Sequence, residues 1–239
     1  MPFDFISQKE YVIEYDKLFD ELNSNIPFLS DANLQRLYLN QWIQKLRQAD
    51  EVERKQTRDF NFFKIINKEL SEAPQLFRLP INYKSGTIFI FFRVSRIIQT
   101  LEQINPTEEY VQNFNANEFV RNNSFIKWDY PDDNFVSNNN KPIIMIPFIL
   151  DEYYKTLVID GNHRIKEWIK SGRSTFPCFC FNSQWYIDNM FFSSNFSCLL
   201  YIMQNEIATL AAYTIRDGIM ASELIKRTYF MTNKILSTD

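Results

Sequence analysis

The segment Leu157–Gly172 changes its pattern of apolar residues at Gly161. The consecutive apolar residues Leu157–Ile159 are typical of a short buried strand. Beyond Gly161, apolar residues recur at the spacing of a helix, and they are Ile165, Trp168 and Ile169. The sequence therefore predicts a strand over 157–159, a turn at Gly161 and a helix over 162–171, with Trp168 buried.

The start of this predicted helix combines several groups that bind anions. A helix N-terminus presents unpaired N–H groups and a partial positive charge. Gly161 has no Cβ, so another backbone or a ligand oxygen can approach closely. The apolar stripe faces the core, which leaves Asn162, His163 and Arg164 free to face a cleft. This turn suits a phosphate group.

Two residues at the turn are candidates for catalysis. Asp160 follows the strand, where a carboxylate can act as a general base or hold a magnesium ion that bridges two phosphates. Its alternative role is to cap the helix. His163 is the only histidine of the chain and either takes part in catalysis and phosphate binding or is a surface residue. Arg164 either binds phosphate or is a structural ion-pair partner.

The rest of the chain predicts an α+β protein with three regions. Helical periodicity indicates a helical N-terminal region, 1–75, that extends to about Leu70, and a helical C-terminal region, 186–239. The central region, 76–185, contains three further predicted strands, over 87–92, 142–150 and 178–181. Residues 113–140 are rich in Asn, Asp and Ser and predict a long loop or short strands. We expect the aromatic residues of that stretch to be anchors to the core rather than a base-stacking platform: Phe125, Trp128, Tyr130 and Phe135.

Composition limits the classes of partner. A chain of 239 residues with 45% hydrophobic content can form a sizeable core, and its net charge of −3 does not favour nucleic acid. No apolar run approaches the about 20 residues of a membrane span. The three cysteines predict buried thiols in a reducing compartment, and residues 1–10 lack signal-peptide features. We therefore expect a cytoplasmic protein.

The motif Asp160-Gly161-Asn162-His163-Arg164, with the strands predicted on either side, resembles the signature of the ParB/sulfiredoxin-like superfamily. The resemblance covers Pro142–Phe181. It implies a small α/β domain that binds nucleotide phosphates at this helix start, here flanked by helical N-terminal and C-terminal extensions. The implied phosphate- or nucleotide-binding residues are Gly161, Asn162, His163 and Arg164, with a nucleotide such as ATP or CTP as ligand and magnesium at Asp160.

Asn162 departs from two branches of this superfamily. The peroxiredoxin-repairing branch has its reactive cysteine here, so the resemblance does not extend to sulfinic-acid reduction. The chromosome-partitioning branch has a glutamate, and Asn162 cannot replace it as a carboxylate ligand. The motif looks like that of members with a DGHHR motif, among them free-serine kinases and poorly characterised nucleases and ATPases.

Three functions follow as hypotheses. The first is a nucleotide-binding enzyme that hydrolyses ATP or a related nucleotide, or transfers phosphate from it. The second is a ParB-like nuclease acting on DNA or RNA. The third is a non-catalytic regulatory or interaction module that binds a protein partner through its helical flanks. Residue usage rich in Asn, Ile and Phe and poor in Gly suggests a low-GC bacterium or its phage as the source.

Overall fold

A computed structural model of the chain describes residues 12–25, 27–58, 75–104, 110–120, 125–132, 139–150 and 154–236. The protein is mixed α+β, as the sequence predicts. The chain forms two compact units, of which the first comprises Met1–Ser95 and Phe192–Asp239 and the second comprises Arg96–Phe191.

The helices of the described residues are α1 Tyr15–Asn25, α2 Ala32–Arg58, α3 Val94–Ile104, α4 Asn117–Val120, α5 Asn162–Lys170, α6 Ser183–Asp188, α7 Asn195–Ala212, α8 Ala221–Ile225 and α9 Tyr229–Thr232. A π-helical turn, Tyr213–Asp217, follows α7. Within the described ranges, no helix has both the length and the apolar character that crossing a membrane requires.

The strands are β1 Phe77–Tyr83, β2 Gly86–Phe92, β3 Val111–Asn115, β4 Ile126–Lys127, β5 Ile143–Leu150, β6 Tyr154–Asp160 and β7 Thr175–Cys180. Strands β1 and β2 form an antiparallel hairpin. The other five form a mixed sheet in the order β3-β7-β5-β6-β4, where β5 runs antiparallel to β6 and parallel to β7.

The first unit contains the N-terminal helices, the hairpin and the C-terminal helices. Asp31 caps α2, because its Oδ1 accepts a hydrogen bond from the N–H of Leu34 at 3.0 Å. Ser194 caps α7 in the same way, through the N–H of Ser197 at 3.2 Å. Helix α7 contacts α2 and β2, so it is surrounded by its own unit and apolar on most sides.

A carboxylic acid lies inside this first unit. Glu206 of α7 is fully buried, and it accepts hydrogen bonds from the hydroxyl of Tyr38 and, at 2.7 Å, from the N–H of Tyr229. Burial raises the pKa of the Glu206 carboxyl above its usual range, although these two hydrogen bonds act in the opposite direction. Glu206 therefore links α2 to the start of α9, and the burial of its ionisable carboxyl costs electrostatic free energy.

The second unit is built around β5, whose side chains are buried on both faces from Ile143 to Ile146. Helix α5 packs on this sheet through Ile165 and Trp168. Their cluster includes residues of four strands and of α4: Phe119, Ile126, Ile143, Met145, Val158, Phe176 and Cys178. The continuous apolar run that predicted a buried strand at 142–150 thus forms the centre of the sheet.

Two sequence predictions differ from the observed elements. The order strand, helix, strand over 157–181 is typical of a crossover unit with parallel strands. In the structure β6 and β7 run in opposite directions, because β5 lies between them and is antiparallel to β6 and parallel to β7. Helical periodicity also predicts one helix over about 217–231, but the structure has two short helices there. Gly218, with a φ of +60°, follows the π-helical turn, and Thr228, between α8 and α9, is extended. The predicted helical pattern at 59–70 lies outside the described residues.

Gly161, between β6 and α5, meets two constraints. Its φ is +107°, a conformation that side chains rarely adopt. A Cβ at this position would lie 2.4 Å from Cγ2 of Ile143 and 3.0 Å from Nη2 of Arg164. The space that a glycine leaves here is used by the protein's own β5 strand and by an arginine.

Replacing Gly161 by Ala should therefore lower the free energy of unfolding by about 2–5 kcal/mol, from backbone strain together with overpacking. The matched control is Gly172→Ala, because Gly172 has a φ of +71° but no atom within 4 Å of an added Cβ. It should lose only about 1–2 kcal/mol. Urea denaturation of both variants measures the difference, and equal losses would show that contact with Ile143 is unimportant.

The buried acid makes a prediction about pH. A raised pKa means that the folded chain holds a proton more tightly than the unfolded chain. The contribution of Glu206 to the free energy of unfolding should be fully present below the unfolded carboxyl pKa of about 4.3. It should be lost as pH rises through the folded pKa of Glu206, by at most about 1.4 kcal/mol per pH unit. Glu206→Gln should remove this decline in denaturation curves, and Glu51→Gln, on the exposed face of α2, should retain it. An unchanged decline in Glu206→Gln would assign it to other groups.

Candidate phosphate site at the start of helix α5

The predicted strand, turn and helix are confirmed at this site. Strand β6 ends at Asp160, Gly161 makes the turn, and α5 begins at Asn162. Trp168 is 6% exposed, as expected. Gly161 has no side chain to cap α5, and the first intrahelical bond runs from the N–H of Ile165 to the carbonyl of Gly161 at 2.9 Å. The N–H groups ahead of Ile165 thus have no acceptor within the helix, as at any helix start.

An ion pair spans this turn. Nη2 of Arg164 lies 2.5 Å from Oδ2 of Asp160, and the two side chains are 8% and 14% exposed. The residues are four apart in sequence, which places Arg164 one helical turn above the end of the strand. Arg164 is therefore an ion-pair partner of Asp160 in this structure, and the carboxylate of Asp160 is engaged with it.

The guanidinium of Arg164 also reaches the segment before β5. Its Nη1 donates to Oδ1 of Asn139 at 3.2 Å, and its Nη2 donates to the carbonyl of Pro142 at 3.4 Å. Its Nε is buried and donates to no acceptor among the described residues. Three of its five N–H groups thus hold the guanidinium beside Gly161.

Asn162 and Lys166 lie on another side of α5 and hold a loop. Oδ1 of Asn162 accepts the N–H of Asp129 at 3.2 Å, and Nζ of Lys166 donates to the carbonyl of Pro131 at 2.6 Å. A lysine of an amphipathic helix is expected on its solvated face, but Lys166 is only 7% exposed. In Asn162, the atom that could donate to a phosphate is the side-chain amide nitrogen.

His163 is in the first turn of α5 and is half-buried. It lies between Asn162, which holds the loop, and Arg164, which pairs with Asp160. The structure therefore brings all five predicted site residues, 160–164, into one turn. The turn therefore combines the partial positive charge of its backbone N–H groups with the charged side chains of Arg164 and Asp160.

The residues at the turn do not fit a metal held by protein ligands alone. Among the described residues, no group of three or more His, Cys, Asp or Glu side chains could hold a metal ion. Asp160, the predicted magnesium ligand, already neutralises Arg164. We therefore assign no chemical step to a resident metal.

The cysteines are free thiols, and Cys178 is buried in the core of the second unit. Burial raises the pKa of Cys180 and of Cys198 to about 12, and burial likewise raises that of Cys178. A thiol with so high a pKa is almost entirely protonated at neutral pH and is a poor nucleophile. The cysteines therefore take no part in the candidate site.

The aromatic residues before β5 divide into two kinds. Trp128 is an anchor as predicted, because its ring packs against the core cluster and its Nε1 donates to the carbonyl of Phe119 at 2.8 Å. Phe125 and Tyr130 are 60% and 59% exposed, so the expectation that they anchor the loop is wrong. Phe135 lies outside the described residues.

Sequence reasoning missed the partners that come from distant segments. Asn139, Pro142 and Pro131 contact α5 residues across 22 or more positions of the chain. Their contacts depend on loop paths that periodicity does not determine. Residues four apart lie on the same face of a helix. The spacing from Asp160 to Arg164, and from Asn162 to Lys166, was therefore the local signal that could have placed each pair together.

Comparison with known proteins identifies no relative of this chain. The chain matches no protein-family model, no curated protein sequence and no solved structure.

Proposed function

We propose that this chain binds a nucleotide such as ATP by its phosphates at the start of α5, and that it hydrolyses the nucleotide or transfers phosphate from it. The observation that carries the proposal is the buried guanidinium of Arg164, held beside a helix start that no side chain caps. We also propose that residues 142–181 have the ParB/sulfiredoxin-like fold and that the protein is cytoplasmic, where its free thiols would stay reduced.

Phosphate offers negative charge and several acceptor atoms to the donors of this turn. The first-turn N–H groups of α5 and the Nε of Arg164 are donors, and the helix dipole adds a partial positive charge. Charge-assisted hydrogen bonds to phosphate are among the strongest that a protein makes. The same groups could bind a phosphodiester of DNA or RNA, but a net charge of −3 disfavours that substrate.

In this proposal, catalysis depends on an exchange of partners. An arriving phosphate competes with Asp160 for the guanidinium of Arg164. The released carboxylate could then act as a general base or approach magnesium that enters as the magnesium–nucleotide complex. His163, half-buried in the same turn, is the second candidate for proton transfer.

The Asp160–Arg164 ion pair also favours a second candidate function, a non-catalytic regulatory module. A carboxylate that stays bound to arginine cannot act as a base. The protein would then bind a phosphate ligand and signal its presence through a protein partner. Turnover is the property that separates the two functions.

Arg164→Gln should weaken the affinity for ATP about tenfold to hundredfold, because a charge-assisted contact contributes roughly 1.5–3 kcal/mol. Glutamine keeps hydrogen-bond donors for the neighbouring segment but removes the charge. The matched control is Arg173→Gln beyond the other end of α5, where Arg173 lies over the ring of Trp168; it should bind ATP as the unchanged chain does. Isothermal titration calorimetry measures both, with circular dichroism to check folding.

Asp160→Asn should abolish phosphate release while ATP binding without magnesium stays equal or becomes tighter. The substitution removes a charge that repels the triphosphate and weakens the hold on Arg164. Asp132→Asn, an exposed carboxylate of the same unit, is the control for net charge and should retain turnover. Full turnover in Asp160→Asn would leave Asp160 a purely structural residue.

Failure of the unchanged chain to bind ATP, ADP, CTP or GTP, with and without magnesium, would contradict the proposal. Binding without phosphate release from any nucleotide, and without cleavage of nucleic acid, would favour the regulatory module.

A further inference from the structure

The five residues after β4, Trp128–Asp132, form a segment held at three points. Nε1 of Trp128 donates to Phe119 of α4 at 2.8 Å. The N–H of Asp129 donates to Asn162, and the carbonyl of Pro131 accepts from Lys166. We call this stretch the anchored segment. Anchors on both sides fix the backbone at its middle residue, Tyr130.

Tyr130 itself is directed to solvent. It is 59% exposed although its neighbours in the segment are anchored. Its ring centroid lies 5.7 Å from that of Trp128 and 5.0 Å from Nζ of Lys166. An aromatic ring supported from two sides and open elsewhere can receive a planar group at low entropic cost, because few of its torsions remain to be ordered.

The anchors also fix where Tyr130 lies relative to the candidate phosphate site. Asn162 is the first residue of α5, and Lys166 is one turn further along, a rise of about 6 Å. Tyr130 lies between the two segment residues that these side chains hold. Its ring is therefore next to the first two turns of α5, within the reach of a nucleoside whose phosphates occupy the helix start.

A separate observation indicates that the helix start itself takes a ligand. The side chain of Arg164 is 8% exposed, and its buried Nε donates to no acceptor in the described part of the chain. Buried donors are nearly always satisfied in folded proteins. A bound phosphate oxygen would supply the acceptor.

We propose that Tyr130 is the base-recognition residue of this site, and that it stacks on the nucleobase of a free nucleotide whose phosphates bind at the start of α5. The inference rests on the proposed nucleotide function and names the residue that distinguishes a nucleotide from a plain polyphosphate. Stacking tolerates any base, so the site would select for the presence of a base more than for its identity.

The test compares two ligands, ATP and inorganic tripolyphosphate, in calorimetric titrations of the full chain. Tyr130→Ala should weaken ATP about fivefold to hundredfold and leave tripolyphosphate unchanged, because only ATP has a base. Tyr130→Phe keeps the ring and should bind both ligands as before. Tyr130→Leu keeps apolar bulk without an aromatic face and should resemble Tyr130→Ala, which covers the case that the alanine variant folds poorly.

Phe125→Ala is the matched control. Phe125 is 60% exposed and has Lys155 5.3 Å from its ring centroid, so it resembles Tyr130 in exposure and in its neighbouring lysine. It precedes β4 and is outside the anchored segment, and its loss should not change ATP affinity.

Equal weakening of ATP and tripolyphosphate in Tyr130→Ala would overturn the inference, since Tyr130 would then act on the phosphate site. Unchanged ATP affinity in both Tyr130→Ala and Tyr130→Leu would overturn it as well. Tighter binding of a short 5′-phosphorylated oligoadenylate than of ATP would overturn the assignment to a free nucleotide. A chain that binds neither ATP nor tripolyphosphate refutes the proposed function itself, which is a different result from any of these.

Discussion

The ion pair between Asp160 and Arg164 is the interaction on which the candidate site depends. At 2.5 Å, and with both side chains largely buried, it fixes the guanidinium beside Gly161. That position is possible only because a glycine leaves room for Arg164 and for Ile143 of β5. The sheet, the turn and the helix are thus joined at one point, and loss of either partner would leave a buried charge at a cost of about 3–5 kcal/mol.

The same ion pair limits what the site can do chemically. While Arg164 holds Asp160, the carboxylate is not free to act as a base or as a metal ligand. A phosphate would have to compete for the guanidinium, whose buried Nε donates to no acceptor among the described residues. Binding of phosphate and release of the carboxylate are therefore coupled in the proposed function. The anchored segment adds the second contact, since it holds Tyr130 next to the same helix start.

Local patterns predicted the parts of this site that depend on local physics. Apolar spacing located the strand, the turn at Gly161 and the helix, and it identified Trp168 as a core residue. The exposure of Tyr130 and the burial of Lys166 could not be predicted, because both follow from the path of a loop 35 residues away from Lys166 in sequence. Aromatic side chains are usually buried and lysines exposed, and here the loop reverses both tendencies.

The central claim is that the start of α5 binds phosphate, and amide chemical shifts test it most directly. In a ¹⁵N-labelled full-length chain titrated with ATP, we expect the largest shifts at the backbone amides of Asn162, His163 and Arg164, together with the side-chain Nε–H of Arg164. A saturating titration that leaves these signals unchanged, or that moves signals only in the first unit, would contradict the account.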